Sequence, residues 1–335
     1  NCPELFGSPL HLAWGVLGLK GITWRDKAGL IALDRALRRE RQKSAPGEGL
    51  DDLTVRQWLD SLGQSPLIQK RLFDPIALGT LNDDPAVAAA TGFVQAMTRM
   101  FYDSVEGTRL GLSTVGLSEL YTTSARQFLE ARGGRVLLSS KVSGVAQDDG
   151  GGLDVRLESG EILRAEHVVS TLPPWDLKRL ELPAALRGSW ETLAPSPIVS
   201  IYLWLDRPVL NDEPLVGMLG TDVHWVFNKG RILGHAEGPG QYLSLVISGA
   251  RRQVGLAPKE LLDLAMGDLR RCFPVAQKAT ITGWKVVKEP FATLSPAPGS
   301  ESLRPRAQSA LPAFLFAGDW TRTGFPATIE SAVAS

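Results

Sequence analysis

Cysteine is scarce in this sequence. Cys2 and Cys272 are its only thiols, and they lie far apart along the chain. Two cysteines at such a separation form neither a metal-binding spacing nor a disulfide framework. The sequence therefore predicts no metal site, excludes a small disulfide-stapled fold, and favours the reducing environment of the cytoplasm.

Long apolar runs and an excess of one charge are also absent. No stretch approaches the roughly 18–20 apolar residues that a membrane-spanning helix needs. The 36 basic residues balance the 36 acidic ones, which argues against a nucleic-acid-binding protein. Hydrophobic residues make up 44% of the 335 positions, enough for one large or two ordinary domains.

Helical patterns dominate the first part of the chain. Residues 24–43 predict an amphipathic helix with Leu33 and Leu37 on one face and arginines on the other. Thr54 opens a second helix with a capping box. The stretch 64–106 is also typical of helices, interrupted by prolines.

Strand patterns follow. Residues 135–172 predict three strands, and residues 197–288 predict an antiparallel sheet with one helix and a hairpin turn at Asn228-Lys229-Gly230. We expect an α/β fold with an α+β second domain, each domain discontinuous in sequence. Residues 111–180 and 309–335 would form a partial Rossmann-like cofactor domain, and residues 1–110 and 181–308 a substrate domain with a helical cap.

The closing stretch, 314–335, places a carboxylate at the end of an apolar strand. Gly318-Asp319 follows Phe314-Leu315-Phe316, and Pro326 then precedes a helix-like segment. Ligands of open α/β sheets bind at this strand edge, and an aspartate there accepts hydrogen bonds from hydroxyl groups. The pattern suits a polyhydroxylated, partly anionic cofactor, although an ordinary strand–loop–helix has the same sequence features.

The run LFAGDWTRTGFPATIESAVAS resembles the C-terminal FAD-binding signature of the amine oxidase/phytoene desaturase superfamily. Within it, the likeness is strongest to the squalene-associated FAD-dependent desaturases, also called hydroxysqualene dehydroxylases. Four further stretches occur in the same order and extend the likeness over nearly the whole chain: 73–90, 115–121, 133–145 and 286–305.

This resemblance implies FAD as the cofactor and assigns the positions that would hold it. Gly318 and Asp319 would meet the pyrophosphate and ribityl part of FAD. The start of the last helix would lie against the pyrimidine edge of the flavin ring, where its dipole favours the reduced form. The residues of this helix start are Pro326, Ala327, Thr328 and Ile329.

Two more positions are implied, each with a plain structural alternative. The backbone of Val142 would pair with adenine, and Pro173 would line the cofactor crevice. The alternatives are core packing for Val142 and strand termination for Pro173.

The sequence also departs from the family. The opening βαβ unit with its Gly-x-Gly-x-x-Gly fingerprint is absent. We therefore expect that the chain lacks an N-terminal segment and the end of its last helix, and holds half of an FAD site. Pro290-Phe291 stands where the resemblance predicts basic residues.

The implied reaction is the reductive dehydroxylation of hydroxysqualene to squalene, a step of squalene and hopanoid biosynthesis. Such a substrate needs a long apolar tunnel. Tyr202, Trp204 and Trp225 are candidates to line it and to stabilise a carbocation; the alternative is that these rings belong to the core. Catalytic residues stay unassigned, because none of the four histidines, nor Asp176 or Glu237, stands out as a general acid.

Three alternatives remain open. A phytoene or carotenoid desaturase would use the same cofactor and tunnel in the oxidative direction. A flavin amine oxidase is less well supported, because 196–206 contains no lysine to reach a water at the flavin. A non-catalytic lipid-binding protein is the third.

An isoprenoid substrate of this size has negligible solubility in water. We therefore expect peripheral contact with the inner face of the cell membrane through residues 9–43, which combine an apolar stretch with a basic helix. No feature of the sequence identifies the electron donor.

Overall fold

The first third of the chain is helical in the computed structural model, which describes residues 15–104, 106–148, 150–234 and 238–335. A single hydrophobic cluster built on Trp58, Phe73 and Phe93 joins these helices. The α-helices are α1 (Trp24–Arg41), α2 (Val55–Ser61), α3 (Pro66–Ile68), α4 (Asp74–Leu81) and α5 (Ala90–Thr98), with π-helical turns at Gln69–Phe73 and Arg99–Asp103.

The two predicted helix starts are confirmed. The Thr23 side chain accepts a hydrogen bond from the Asp26 amide, and the Asp26 carboxylate accepts one from the Thr23 amide. Thr54 and Gln57 form the same reciprocal pair at the start of α2. Both pairs satisfy amides that have no partner within the helix.

A five-stranded antiparallel sheet forms the largest layer. Its strand order is β6–β7–β8–β5–β9, and alternate residues of β5 are buried, with Ile201 and Leu203 fully inaccessible. This inner face packs on helix α9 through Leu261 and Leu269. The elements are β5 (Pro195–Leu205), β6 (Leu215–Gly217), β7 (Trp225–Asn228), β8 (Gln241–Ser248), α9 (Pro258–Cys272) and β9 (Ile281–Leu294).

Two smaller sheets share a third hydrophobic cluster. The first is antiparallel, with the order β1–β2–β3, and the second is a parallel pair of β4 and β10. Trp190, Phe314 and Trp320 are buried in the cluster. The elements are α6 (Thr123–Glu130), β1 (Val142–Gln147), β2 (Leu153–Leu157), β3 (Ile162–Ala165), β4 (Val168–Ser170), α7 (Pro174–Leu177), α10 (Ser300–Leu303), β10 (Phe314–Phe316) and α11 (Ile329–Ala334).

The predicted hairpin turn at Asn228-Lys229-Gly230 is wrong. A short helix, α8 (Lys229–Ile232), begins there, because the Asn228 side chain accepts a hydrogen bond from the Arg231 amide and caps a helical turn. The division into two discontinuous domains stays a prediction.

A buried polar joint connects the helices to the five-stranded sheet. Asn82 ends α4 in the left-handed conformation, and its side chain binds Thr293 and the Gly249 amide. The Asp83 carboxylate is fully buried and pairs with Arg251 at 2.6 Å. Because an unpaired buried carboxylate is costly, this pair fixes the end of α4 against the sheet.

Removing the cation of this joint should destabilise the protein. We expect Arg251→Ala to lower the free energy of unfolding by about 2–3 kcal/mol, because Asp83 would stay buried without its ion-pair partner. Arg231→Ala is the matched control. It removes an exposed pair with Asp212 and should cost less than about 0.5 kcal/mol in urea denaturation. Equal losses of unfolding free energy in the two variants would contradict the role of the joint.

Candidate cofactor site

The carboxyl ends of two parallel strands meet at the candidate site. Strands β4 and β10 pair in register, and the Ala317 amide extends the pairing to the Ser170 carbonyl at 2.9 Å. The segments that follow therefore leave the sheet side by side. This topology places Pro173 and Gly318-Asp319 at one edge, the position where α/β sheets bind ligands.

Gly318 has a backbone conformation and a neighbour that leave no room for a side chain. Its φ angle is 125°, a region that other residues rarely adopt. A Cβ atom there would lie 3.0 Å from two atoms of the Trp320 indole ring. The ring is itself fixed by Trp190 and Phe316, at centroid distances of 5.7 and 5.5 Å.

Asp319 carries a carboxylate that is poorly solvated. Burial raises the pKa of Asp319 above its ordinary value, while the charge of Arg304 and two backbone amides act in the opposite direction. No side chain in the described part of the chain donates a hydrogen bond to this carboxylate. Its oxygen atoms therefore have acceptor capacity for a ligand at the strand edge.

Arg304 organises the closing loop, residues 317–328, which connects β10 to α11. No sequence pattern predicted this role. The Arg304 guanidinium is 3% exposed and pairs with Glu301 at 2.8 Å. It also donates hydrogen bonds to the carbonyl oxygens of Asp319, Thr321 and Phe325. Arginine has five donors in a rigid planar group, so one side chain fixes three points of the loop. The stretch 286–305 contains this arginine, but nothing local marks it as buried.

The loop after Asp319 also contacts the helices. The Arg99 guanidinium lies over the Phe325 ring at 3.7 Å, and Pro326 lies against Gly92 of α5. The last helix begins later than predicted, at Ile329, because the Thr328 side chain caps it through the Ser331 amide. Ala327 and Thr328 are half-buried, whereas Ile329 is exposed.

The other two predicted cofactor residues lie on different elements. Pro173 precedes α7, whose Trp175 packs against Phe291 of β9 at 5.8 Å. Val142 begins β1, and that strand reaches the site indirectly, through Val145 in the cluster that contains Trp320. No described contact joins Val142 to Asp319, so its role stays a prediction.

The three predicted tunnel residues lie on the outer face of the five-stranded sheet. Trp204 is 40% exposed and stacks on Tyr242, with parallel rings 4.7 Å apart. Tyr202 is half-buried on the same strand face. Trp225 contacts α4, where a Cβ atom on Gly79 would lie 3.3 Å from its ring. The helices therefore cover part of this face.

The histidines provide no clear proton donor at this edge. His224 is half-buried, and its partial desolvation lowers its pKa below the ordinary value. Its Nδ1 atom accepts a hydrogen bond from the Ser248 amide. His167 is exposed just before β4, while His11, His235 and Glu237 lie outside the described residues. The described residues contain no acidic, histidine or cysteine cluster that would hold a metal ion.

The fold is of the α/β class, and its candidate ligand site is the edge where β4 and β10 end. The model of the flavin containing amine oxidoreductase family matches residues 9–335. The chain belongs to this family, and FAD is the cofactor that membership implies. The resemblance to the amine oxidase/phytoene desaturase superfamily, predicted from the closing stretch, is confirmed.

Several curated proteins are similar to the chain. The 15-cis-phytoene desaturase of Synechococcus elongatus is 24% identical over 94% of this chain and 69% of its own length. That of Glycine max is 24% identical over 99% and 60%. The hydroxysqualene dehydroxylase of Sinorhizobium fredii is 29% identical over 80% and 60%. The chain thus spans about 60–69% of the length of these relatives.

Solved structures support the same fold. Putrescine oxidase with bound putrescine superposes with a TM-score of 0.70 at 15% identity, over 94% of this chain and 74% of that one. Cyclohexylamine oxidase from Brevibacterium oxydans gives 0.67 at 15% identity, over 95% and 75%. At identities this low, the superpositions show the fold alone. The shared fold confirms the predicted α/β class.

The residues at the strand edge fit part of an FAD molecule. The Asp319 carboxylate has acceptor capacity for ribityl hydroxyls. The indole Nε1 atom of Trp320 is buried without a hydrogen-bond partner among the described residues. These residues would hold the cofactor at the edge of the β4–β10 pair.

Replacing Asp319 by a neutral residue should lower the affinity for flavin without lowering the stability of the fold. At neutral pH, the raised pKa of Asp319 means that its charge costs stability, so Asp319→Asn should keep or slightly raise the melting temperature. The difference in melting temperature between the variant and the parent protein should disappear as the pH falls below 3.8, the ordinary pKa of an aspartate. Flavin affinity should fall roughly 10- to 100-fold, because a charged hydrogen-bond acceptor is lost.

The matched control for this variant is Asp176→Asn, which alters an exposed carboxylate paired with Arg179. Flavin titration and thermal unfolding measure both effects. Unchanged flavin affinity in Asp319→Asn would contradict the assignment of the site.

Proposed function

We propose that the protein is an FAD-dependent oxidoreductase that acts on a long isoprenoid, and that its reaction is the dehydroxylation of hydroxysqualene to squalene. Family membership supports the flavin chemistry. The 29% identity to a hydroxysqualene dehydroxylase supports the substrate class. The aromatic outer face of the five-stranded sheet carries the proposal.

This outer face offers an extended track that carries the aromatic rings of Tyr202, Trp204 and Tyr242. The polar residues Ser200, Ser244 and Lys285 share the same face. Residues 196–204 of β5 cover about 25 Å, since a strand rises roughly 3.3 Å per residue. Phe291 lies near one end of the track, against Trp175 of the cofactor edge, and the Trp204–Tyr242 stack lies at the other. A long hydrocarbon gains affinity from burial along such a track in proportion to its apolar area.

The chemistry requires few polar protein groups. When bound and reduced, FAD supplies a hydride to the carbon that loses its hydroxyl group, and one proton leaves with that hydroxyl as water. The aromatic faces of Trp204, Tyr242 and Trp225 would orient the chain and favour positive charge on the carbon. The helices that cover Trp225 would exclude water from the track.

A further segment of the protein would complete the cofactor site. The helical stretch around α6 has no buried side chain, and Leu117, Leu120, Phe128 and Leu129 are all exposed. An amphipathic helix of this kind normally packs its apolar face on another element. The extra length of the relatives supports the proposal that another α/β segment covers this face.

A phytoene-type desaturase is the second candidate. The two desaturases match 94% and 99% of the chain, and the same aromatic track would hold a polyene. Its reaction runs in the opposite redox direction, with hydride transferred from substrate to oxidised flavin.

Product analysis with the protein expressed from its gene tests this proposal. Under anaerobic conditions with chemically reduced flavin, we expect hydroxysqualene to yield squalene, identified by mass spectrometry. Trp204→Ala should slow the reaction roughly fivefold or more, through loss of cation–π stabilisation. Trp284→Ala, which removes an exposed tryptophan from β9 next to Gly283, the pairing partner of Trp204, should leave the rate unchanged.

Three results would contradict the proposed function. These are oxidation of phytoene with no squalene formed, oxidation of an amine, and equal effects of the two tryptophan variants.

A further inference from the structure

Helix α1 buries one face and exposes a second apolar one. Leu33 and Leu37 pack into the helical core. On the opposite side, Trp24 is 73% exposed and Ile31 is 55% exposed. Leu17, just before the helix, is also exposed. Large apolar side chains grouped on one exposed helix face are a feature of surfaces that bind a partner or a membrane.

The same segment is strongly basic, although the whole chain is neutral. Residues 15–43 contain eight lysines and arginines against three acids. All three acids already have partners. Asp26 caps α1, Asp34 binds Arg38, and Glu40 binds Lys43. Arg35 and Arg39 form no ion pair within the described residues, so their charges are available to a ligand.

Helical geometry aligns the two features. At 3.6 residues per turn, Trp24, Ile31, Arg35 and Arg39 fall within about 80° of one another around the axis. The exposed face is therefore apolar in its first half and cationic in its second. Lys27 lies over the Trp24 ring at 4.7 Å, where its aliphatic stem extends the apolar surface.

We propose that this face, formed by Leu17, Trp24, Ile31, Arg35 and Arg39, docks on a bilayer that contains anionic phospholipids. An interfacial helix combines aromatic and aliphatic side chains that enter the acyl boundary with cations that bind headgroups. A nucleic-acid duplex would bind the cations through its phosphates and would leave Ile31 in water. The described residues include no helix able to span a membrane.

The docking face is one helix layer away from the cofactor loop. Tyr102 donates a hydrogen bond to Asp34 of α1 at 2.7 Å. In the same π-helical turn, Arg99 packs over Phe325 of the closing loop. If the proposed isoprenoid substrate is correct, this arrangement brings the site close to the lipid phase that dissolves it.

Vesicle sedimentation tests the docking face directly. Vesicles of phosphatidylcholine mixed with phosphatidylglycerol should bind the protein, and vesicles of phosphatidylcholine alone should bind it weakly. The double charge reversal R35E/R39E should weaken binding to the anionic vesicles roughly 25-fold or more, since each surface cation contributes about fivefold. The matched control is R252E/R270E, two exposed arginines on another surface.

A second pair of substitutions distinguishes binding to lipid vesicles from binding to polyanions such as heparin or DNA. W24S/I31S should weaken vesicle binding about tenfold, because it removes the apolar contact, and should leave the melting temperature unchanged. Equal binding of R35E/R39E and the parent protein would overturn the proposal. So would heparin or DNA binding as strong as vesicle binding and insensitive to W24S/I31S. The vesicles contain neither flavin nor isoprenoid, so these outcomes are independent of the proposed reaction.

Discussion

The candidate site depends on one buried guanidinium. Arg304 comes from the segment before β10, and it holds three carbonyl oxygens of the loop that follows that strand. The loop has no regular secondary structure of its own to fix its backbone. With Arg304 in place, the Asp319 carboxylate remains at the strand edge and Phe325 reaches Arg99 of the helical layer.

The candidate site combines a rigid support with a poorly solvated carboxylate. Trp320, Trp190 and Phe316 form a buried aromatic base beneath Gly318, and the Asp83–Arg251 pair fixes the helices on the sheet. Asp319 retains a poorly solvated carboxylate, and no side chain among the described residues donates a hydrogen bond to it. Proteins tolerate such a cost at binding sites, where a ligand supplies the missing hydrogen bonds.

Local patterns predicted much of this structure. The capping box at Thr54 and the apolar stripe of α1 depend on neighbouring residues, so they can be predicted from the sequence. The Gly318-Asp319 motif identified the family by its residues. Arg304 and the Asn82–Asp83 joint were missed because their partners lie far away in sequence or on backbone atoms. The turn at Asn228 was mistaken because a hairpin and a capped helical turn share the same residue types.

The variant Arg304→Lys tests the central claim most directly. Lysine keeps the charge and the pair with Glu301 but lacks the planar donors that reach three carbonyl groups. The account predicts that flavin affinity falls at least about tenfold, while the separate core behind the five-stranded sheet keeps its protection from hydrogen exchange. Flavin binding as tight as that of the parent protein, in a variant whose closing loop exchanges no faster, would contradict it.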